Sequence, residues 1–230
     1  LGMIHHDVFP VFAMSARKNM GSGRMMGFID NVAPSPLEAK PESTIEGKEI
    51  PFDQSKPVVL FVFKTHLEPN LGKLSFFKVI SGEVNTGAEL INSQTSATER
   101  VHQLFIMDGK TRNLVDKLVA GDIGATLKLK DTYTNQTLHA KGYEITVKPI
   151  DFPEPRIRTA IVALSKKDDE KIGEVLHKIH QEDPTLHVQF SKEIKQLIVS
   201  GQGELHLAVC KWFLENLYKL HVDFETPRIS

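Results

Sequence analysis

The sequence predicts a multi-domain chain of β and α+β class: a β-barrel, then a ferredoxin-like split β-α-β domain, with a short α/β segment ahead of both. Three observations carry this. Between residues 58 and 150, short apolar runs are broken by Ser81-Gly82, Asn85-Thr86-Gly87, Asp108-Gly109 and Ala120-Gly121-Asp122. Closely spaced strands with Gly and Asn turns read as a barrel or sandwich. After Phe152-Pro153-Glu154-Pro155 the period changes, and Ile172, Val175, Leu176 and Ile179 fall on one face of a helix. The two prolines keep that boundary extended and stop the strand before it.

The elements follow in order. Residues 8–16 read as a short buried strand. Met25, Met26, Phe28, Ile29 and Val32 recur at helical spacing, and Ala33-Pro34-Ser35-Pro36 stops that helix. Residues 1–40 make this first α/β segment. Residues 41–55 are polar, carry Pro41, Gly47 and Pro51, and are expected to be a linker. The barrel spans residues 56–151, with strands expected at 58–64, 72–80, 83–84, 89–91, 100–107 and 125–130 and closure near 143–150. The last unit, residues 152–230, starts with a strand at 156–164. Ser165-Lys166-Lys167-Asp168 then resembles a capping box, and Asp183-Pro184 ends the helix that follows. Leu186, Val188 and Phe190 alternate as a strand, residues 196–200 form another, and Gly201-Gln202-Gly203 turns the chain into a second helix. Leu205, Val209, Trp212 and Phe213 are expected on its packed side, residues 221–224 as the last strand, and Gly203 as a position needing positive φ.

Composition narrows the function. Among 230 residues, 28 are Lys or Arg and 29 Asp or Glu, a net charge of −1. That excludes a general nucleic-acid coat or a polybasic membrane binder as a property of the whole chain. The single cysteine, Cys210, excludes an internal disulfide and fits a reducing, cytoplasmic setting. No apolar run approaches the roughly 20 residues of a membrane helix, so no membrane partner is expected. The chain begins Leu1-Gly2 rather than Met, which suggests a piece of something longer.

The chemistry-bearing motifs are sparse. No G-x-x-x-x-G-K-[ST] loop, Asp-x-x-Gly or Asn-Lys-x-Asp occurs, so the sequence holds no complete nucleotide site and no enzyme activity is expected of it. His177 and His180 lie three apart on one helix, but no further ligand completes a metal set. Ser200, Glu204 and His206 are near one another without a nucleophile-elbow pattern. Lys166-Lys167 reads as a solvated helix start, with a phosphate contact as the alternative.

Three groups of motifs then line up. The stretch Gly72-Lys73-Leu74-Ser75-Phe76-Phe77-Lys78-Val79-Ile80-Ser81-Gly82-Glu83-Val84-Asn85-Thr86-Gly87 resembles the opening hairpin of the β-barrel that follows the GTPase domain in translation factors. Ala120-Gly121-Asp122-Ile123 resembles a later turn of it. Phe152-Pro153-Glu154-Pro155, Glu182-Asp183-Pro184-Thr185 and Ser200-Gly201-Gln202-Gly203-Glu204-Leu205-His206-Leu207 resemble the third domain of elongation factor G. Ser15-Ala16-Arg17 resembles the last guanine-recognition element, with Arg17 where Lys is usual. The resemblance implies a fragment of an elongation factor G-like translational GTPase: the end of the GTPase domain, the barrel and the third domain. It implies no cofactor in the fragment, GTP and Mg in the full-length parent, and the ribosome and its own GTPase domain as partners. Lys64, Lys73, Lys78 and Arg100 are the candidate rRNA contacts. A fragment of a tetracycline-resistance ribosomal protection protein and a non-enzymatic protein–protein adaptor stay open as alternatives. The prolines at the boundary suggest a hinge at residues 151–156.

Overall fold

The computed structural model describes residues 2–3, 7–68, 72–165 and 168–228. Helix α1 is Ser22–Val32, and Ala33, held extended ahead of Pro34, ends it. Strands β1 (Glu42–Ser43) and β2 (Glu49–Ile50) form a small hairpin. Next come β3 (Val59–Glu68), β4 (Gly72–Ser81), β5 (Glu83–Asn85), β6 (Glu89–Asn92), β7 (Thr98–Arg100) and β8 (Leu104–Asp108). They are followed by β9 (Thr111–Val115), β10 (Lys117–Val119), β11 (Ile123–Leu127) and β12 (Gln136–His139). Eight of these make one curled sheet in the order β7-β6-β12-β3-β4-β11-β8-β9, and β5 pairs with β10 as a separate ribbon.

The alternation of β4 shows why the sheet curls around a core. Phe77 and Val79 point inward with Leu60, Val62, Leu90, Leu104 and Leu138. Leu74 and Phe76 point outward with Phe105, Ala125 and Leu127, while Ile80 packs with Val59 and Phe61 under the small hairpin. The strand is therefore apolar on both faces, and each face is covered.

The second unit comprises β13 (Ile157–Ala163), α2 (Asp169–Glu182), β14 (His187–Ser191), β15 (Gln196–Gly201), α3 (Glu204–Trp212) with a π turn at Phe213–Leu217, and β16 (Val222–Glu225). Its sheet order is β14-β15-β13-β16, all antiparallel. This is the expected split β-α-β-β-α-β unit. Ile172, Val175, Leu176 and Ile179 of α2 are buried against Leu186, Val199, Leu207, Leu214 and Val222.

Several expectations are corrected. Residues 8–16 form no strand: Phe9 is 76% and Val11 94% exposed, because no strand among the described residues pairs with them. Residues 41–55 are not a free linker. Ile50 and Phe52 are buried against Val59, Ile80 and Val147, so apolar burial holds this polar-looking segment on the sheet. The expected strand at 100–107 is two strands, with the break at residues 101–103. Residues 143–150 do not complete the sheet; β12 sits between β6 and β3 instead, and Val147 makes a single bridge to Thr44. On α3 the packed side is Leu207 and Cys210, while Leu205, Val209 and Trp212 are exposed. The capping box is not formed as expected: Asp168 caps α2 without a side-chain hydrogen bond, and Lys166 and Lys167 lie outside the described residues.

Two glycines tie segments together. Gly121, at φ +98°, turns the chain where a Cβ would lie 2.7 Å from the Pro36 side chain. Gly82, at φ +74°, follows β4 where a Cβ would sit 2.6 Å from the Lys56 carbonyl oxygen and the Val58 backbone. Backbone cannot yield as a flexible side chain can. Gly82→Ala is therefore expected to lower stability by about 2 kcal/mol or more, combining left-handed strain with a clash. Urea unfolding measures it, and an unchanged midpoint would show that the loop before β3 moves aside freely.

Candidate functional site

The three motifs of the second unit meet in one hydrogen-bonded network. Asp183 ends α2, and its Oδ1 accepts from Thr185 Oγ1 at 2.5 Å and from the Thr185 N–H at 3.0 Å. Its Oδ2 lies 2.9 Å from His206 Nε2 on α3. His206 Nδ1 accepts the Gln202 N–H at 3.0 Å, so the ring proton sits on Nε2 and is donated to Asp183. The Gln202 side-chain amide donates to the carbonyls of Pro153 at 2.8 Å and Glu154 at 3.1 Å. The Arg156 N–H donates to the Gly201 carbonyl at 2.9 Å. The proline boundary, the end of α2 and the start of α3 are thus pinned to one another.

This geometry decides several chemical readings. Both ring nitrogens of His206 are engaged, so it is not placed as a general base for Ser200. Burial, reinforced by the negative charge of Asp183, pushes the Cys210 thiol up to about 12, which keeps it an inert packing group. Among the described residues no three His, Cys, Asp or Glu side chains converge as a metal ion requires. His180 instead has its Nδ1 2.6 Å from the Leu186 carbonyl oxygen.

The glycine assignment also changes. Gly203 has φ 176°, an extended conformation open to any residue, and a Cβ there meets nothing within 4 Å. At Gly201 a Cβ would lie 2.9 Å from His206 Nδ1 and 3.1 Å from Leu207. Close approach of the imidazole, rather than backbone freedom, is what calls for glycine in this turn.

The predicted contact residues divide in two. Lys73 donates to the Lys130 carbonyl at 3.1 Å and lies 3.8 Å from the Tyr133 ring centroid; burial holds its pKa below the usual range against the pull of Glu99 and Asp131. Lys78 pairs with Glu42 at 2.9 Å and lies 4.5 Å from the Phe52 ring, so it fastens the β1–β2 hairpin to the sheet. Lys64 and Arg100 are exposed, on β3 and on β7 opposite Glu89. The four are not one cluster of free cations. Ser15, Ala16 and Arg17 lie in a turn closed by Ser15 and Met20, which exchange two backbone hydrogen bonds of 3.0 Å. Ala16 and Arg17 are exposed, and no acceptor among the described residues faces the Ala16 N–H. Sequence reasoning missed the linking role of Gln202, because an amide that bonds two carbonyls nearly fifty residues away leaves no local pattern.

Two measurements test the network. Burial raises the Asp183 pKa, but hydrogen bonds from Thr185 and His206 outweigh it and leave it lowered. A depressed folded pKa contributes stability above the unfolded value of about 3.9, and that contribution is lost as pH falls through the folded pKa. Asp183→Asn is expected to lower stability at pH 7 by roughly 1–2 kcal/mol and to flatten the acid limb of a stability–pH curve below about pH 4. Parallel acid limbs for both proteins would remove Asp183 from the network's energetics. Gly201→Ala is expected to lower the thermal midpoint of the unit, whereas Gly203→Ala leaves it nearly unchanged; the reverse ranking would contradict the close approach of His206.

Residues 57–141 match the family model described as Elongation factor G domain 2, and residues 152–226 match the one described as Elongation Factor G, domain III. A solved crystal structure from Thermus thermophilus is similar to 97% of this chain, with a TM-score of 0.79 and 24% identity. The chain spans 32% of that protein's length, and the likeness at this identity speaks to the fold alone. The two family matches together take in well over half of the sequence, in the same order as the curled sheet and the split β-α-β-β-α-β unit. On these matches, the chain belongs to the elongation factor G family.

Proposed function

We propose that this chain is the ribosome-interacting part of an elongation factor G-like translational GTPase, supporting GTP-dependent translocation of tRNA and mRNA. The observation that carries the reading is the succession of domain 2 and domain III matches, with the domain III motifs joined in one intact network. In this reading residues 1–40 are the end of a GTPase domain, residues 41–55 its connection, residues 56–151 the second domain and residues 152–230 the third. The exposed Phe9, Val11, Met26 and Ile29 support a first segment whose apolar side is covered by the remainder of its own GTPase domain. The setting is cytoplasmic; no helix among the described residues is long and apolar enough to cross a membrane.

The residues present do not make a site for GTP and Mg. The phosphate loop, Asp-x-x-Gly and Asn-Lys-x-Asp are absent from the sequence. Ser15, Ala16 and Arg17 supply at most the exposed Ala16 N–H toward a base in the parent protein. Nucleotide chemistry belongs to the parent, and this chain contributes shape and surface. Lys64 and Arg100 are its proposed rRNA contacts; Lys73 and Lys78 act on the barrel's own structure.

Co-sedimentation of the chain with bacterial ribosomes tests the reading. Lys64→Glu with Arg100→Glu is expected to weaken binding several-fold at low salt, with the difference shrinking as salt rises. Lys78→Gln is expected to lower the unfolding midpoint and leave binding near that of the parent sequence. A chain that stays in the supernatant would defeat the ribosome reading, and an unaffected double variant would defeat the contact assignment. Calorimetric titration with GTP and with GDP is expected to give no heat of binding.

A further inference from the structure

We infer that the far half of β3 and the end of α2 form a latch that holds the curled sheet and the split β-α-β-β-α-β unit in one arrangement. The inference deepens the proposed function, resting on it for the latch's use and not for its existence. Thr65, only 1% exposed, donates its hydroxyl to the Gln181 carbonyl at 2.7 Å, and its N–H bonds Thr134 Oγ1 at 3.1 Å. Gln181 is in the last turn of α2, where carbonyls lack partners within the helix. The Glu182 carboxylate accepts the Leu67 N–H and lies 3.4 Å from His66 Nδ1.

Two features mark this contact as built. A carboxylate in the last turn of a helix opposes the helix dipole, so Glu182 is poorly placed for α2 and well placed for β3. The β3–β4 register also shifts between Val62 and Lys64, just before the contact residues. A bulge bends and twists its strand, and here it precedes the three residues that meet α2.

The contact is also suited to opening. Its hydrogen bonds are polar, and beside it an open groove of about 290 Å³, lined by Tyr133, Thr134, His177, His180, Gln181 and Pro184, runs between the units. The covalent connection runs separately, with Pro153 and Glu154 anchored by Gln202. A hinge at one place and a latch at another fix the mutual angle; opening the latch leaves only the hinge.

Spin labels on Lys110→Cys and Lys192→Cys, both at exposed positions, report the distance between the units, and the buried native Cys210 is shielded from labelling. The parent sequence is expected to give one main distance. Glu182→Ala is expected to raise the ratio of open to closed molecules about tenfold, the effect of losing one charge-assisted hydrogen bond. Thr65→Val, which removes the hydroxyl bond to the Gln181 carbonyl, takes its place if the alanine variant does not fold, and the two substitutions together are expected to open the pair further. A distribution unchanged by these substitutions, or one already broad in the parent, overturns the latch. The measurement uses no ribosome, so its failure leaves the ribosome reading standing, and failed co-sedimentation leaves the latch standing.

Discussion

The hydrogen bond between His206 and Asp183 is the constraint on which the second unit's geometry turns. It joins the end of one helix to the start of the other over the sheet face that both cover. The backbone of Gly201 approaches the same imidazole with no side chain between them, where a Cβ would lie 2.9 Å from Nδ1. The same ring accepts the Gln202 N–H, which orients that residue while its side-chain amide reaches the carbonyls of Pro153 and Glu154. Neither proline nitrogen in that boundary carries an N–H, so the carbonyls are the handles available for fixing it. One imidazole therefore sets the relation of two helices and of the segment that enters the unit.

A different logic holds the curled sheet. Its central strands β3 and β4 are apolar on both faces, so it needs cover outside as well as a core within. The β1–β2 hairpin supplies part of the cover through Ile50 and Phe52 and is fastened by Lys78 to Glu42. The interior is not uniformly apolar. Glu99, 2% exposed, accepts from the N–H groups of Lys130 and Asp131 and from the Thr132 hydroxyl, which satisfies a charge that would otherwise be costly to bury. Two units built on such different interiors share hydrogen bonds from Thr65 and Leu67 to the end of α2.

The site residues were legible only in part. The motifs that resemble elongation factor G were visible as words, and the structure joins three of them through side chains that the words do not connect. Cationic residues were visible too, but charge in a sequence does not say where a side chain is spent. Lys73 lies over Tyr133 and Lys78 over Phe52, contacts between residues dozens of positions apart. Gln202 and Glu182 stand inside those motifs, but nothing local shows what either side chain bonds, since the partners lie in other elements.

By itself the sequence determined the class of each unit and the buried stripe of α2, and it marked Phe152-Pro153-Glu154-Pro155 as the place where the period changes. Those are local properties: proline restricts its neighbours, and a helix with one apolar face has one way to bury it. The tertiary structure decided the rest. Helix α3 carries Leu205, Val209 and Trp212 on one side and Leu207 and Cys210 on another, and only the position of the sheet selects the second set. Residues 41–55 look like a linker until Val59, Ile80 and Val147 provide a surface for Ile50 and Phe52. The strand at Gln136–His139 is defined by its neighbours β3 and β6. Periodicity records which residues share a face, whereas burial depends on what another part of the chain brings to that face.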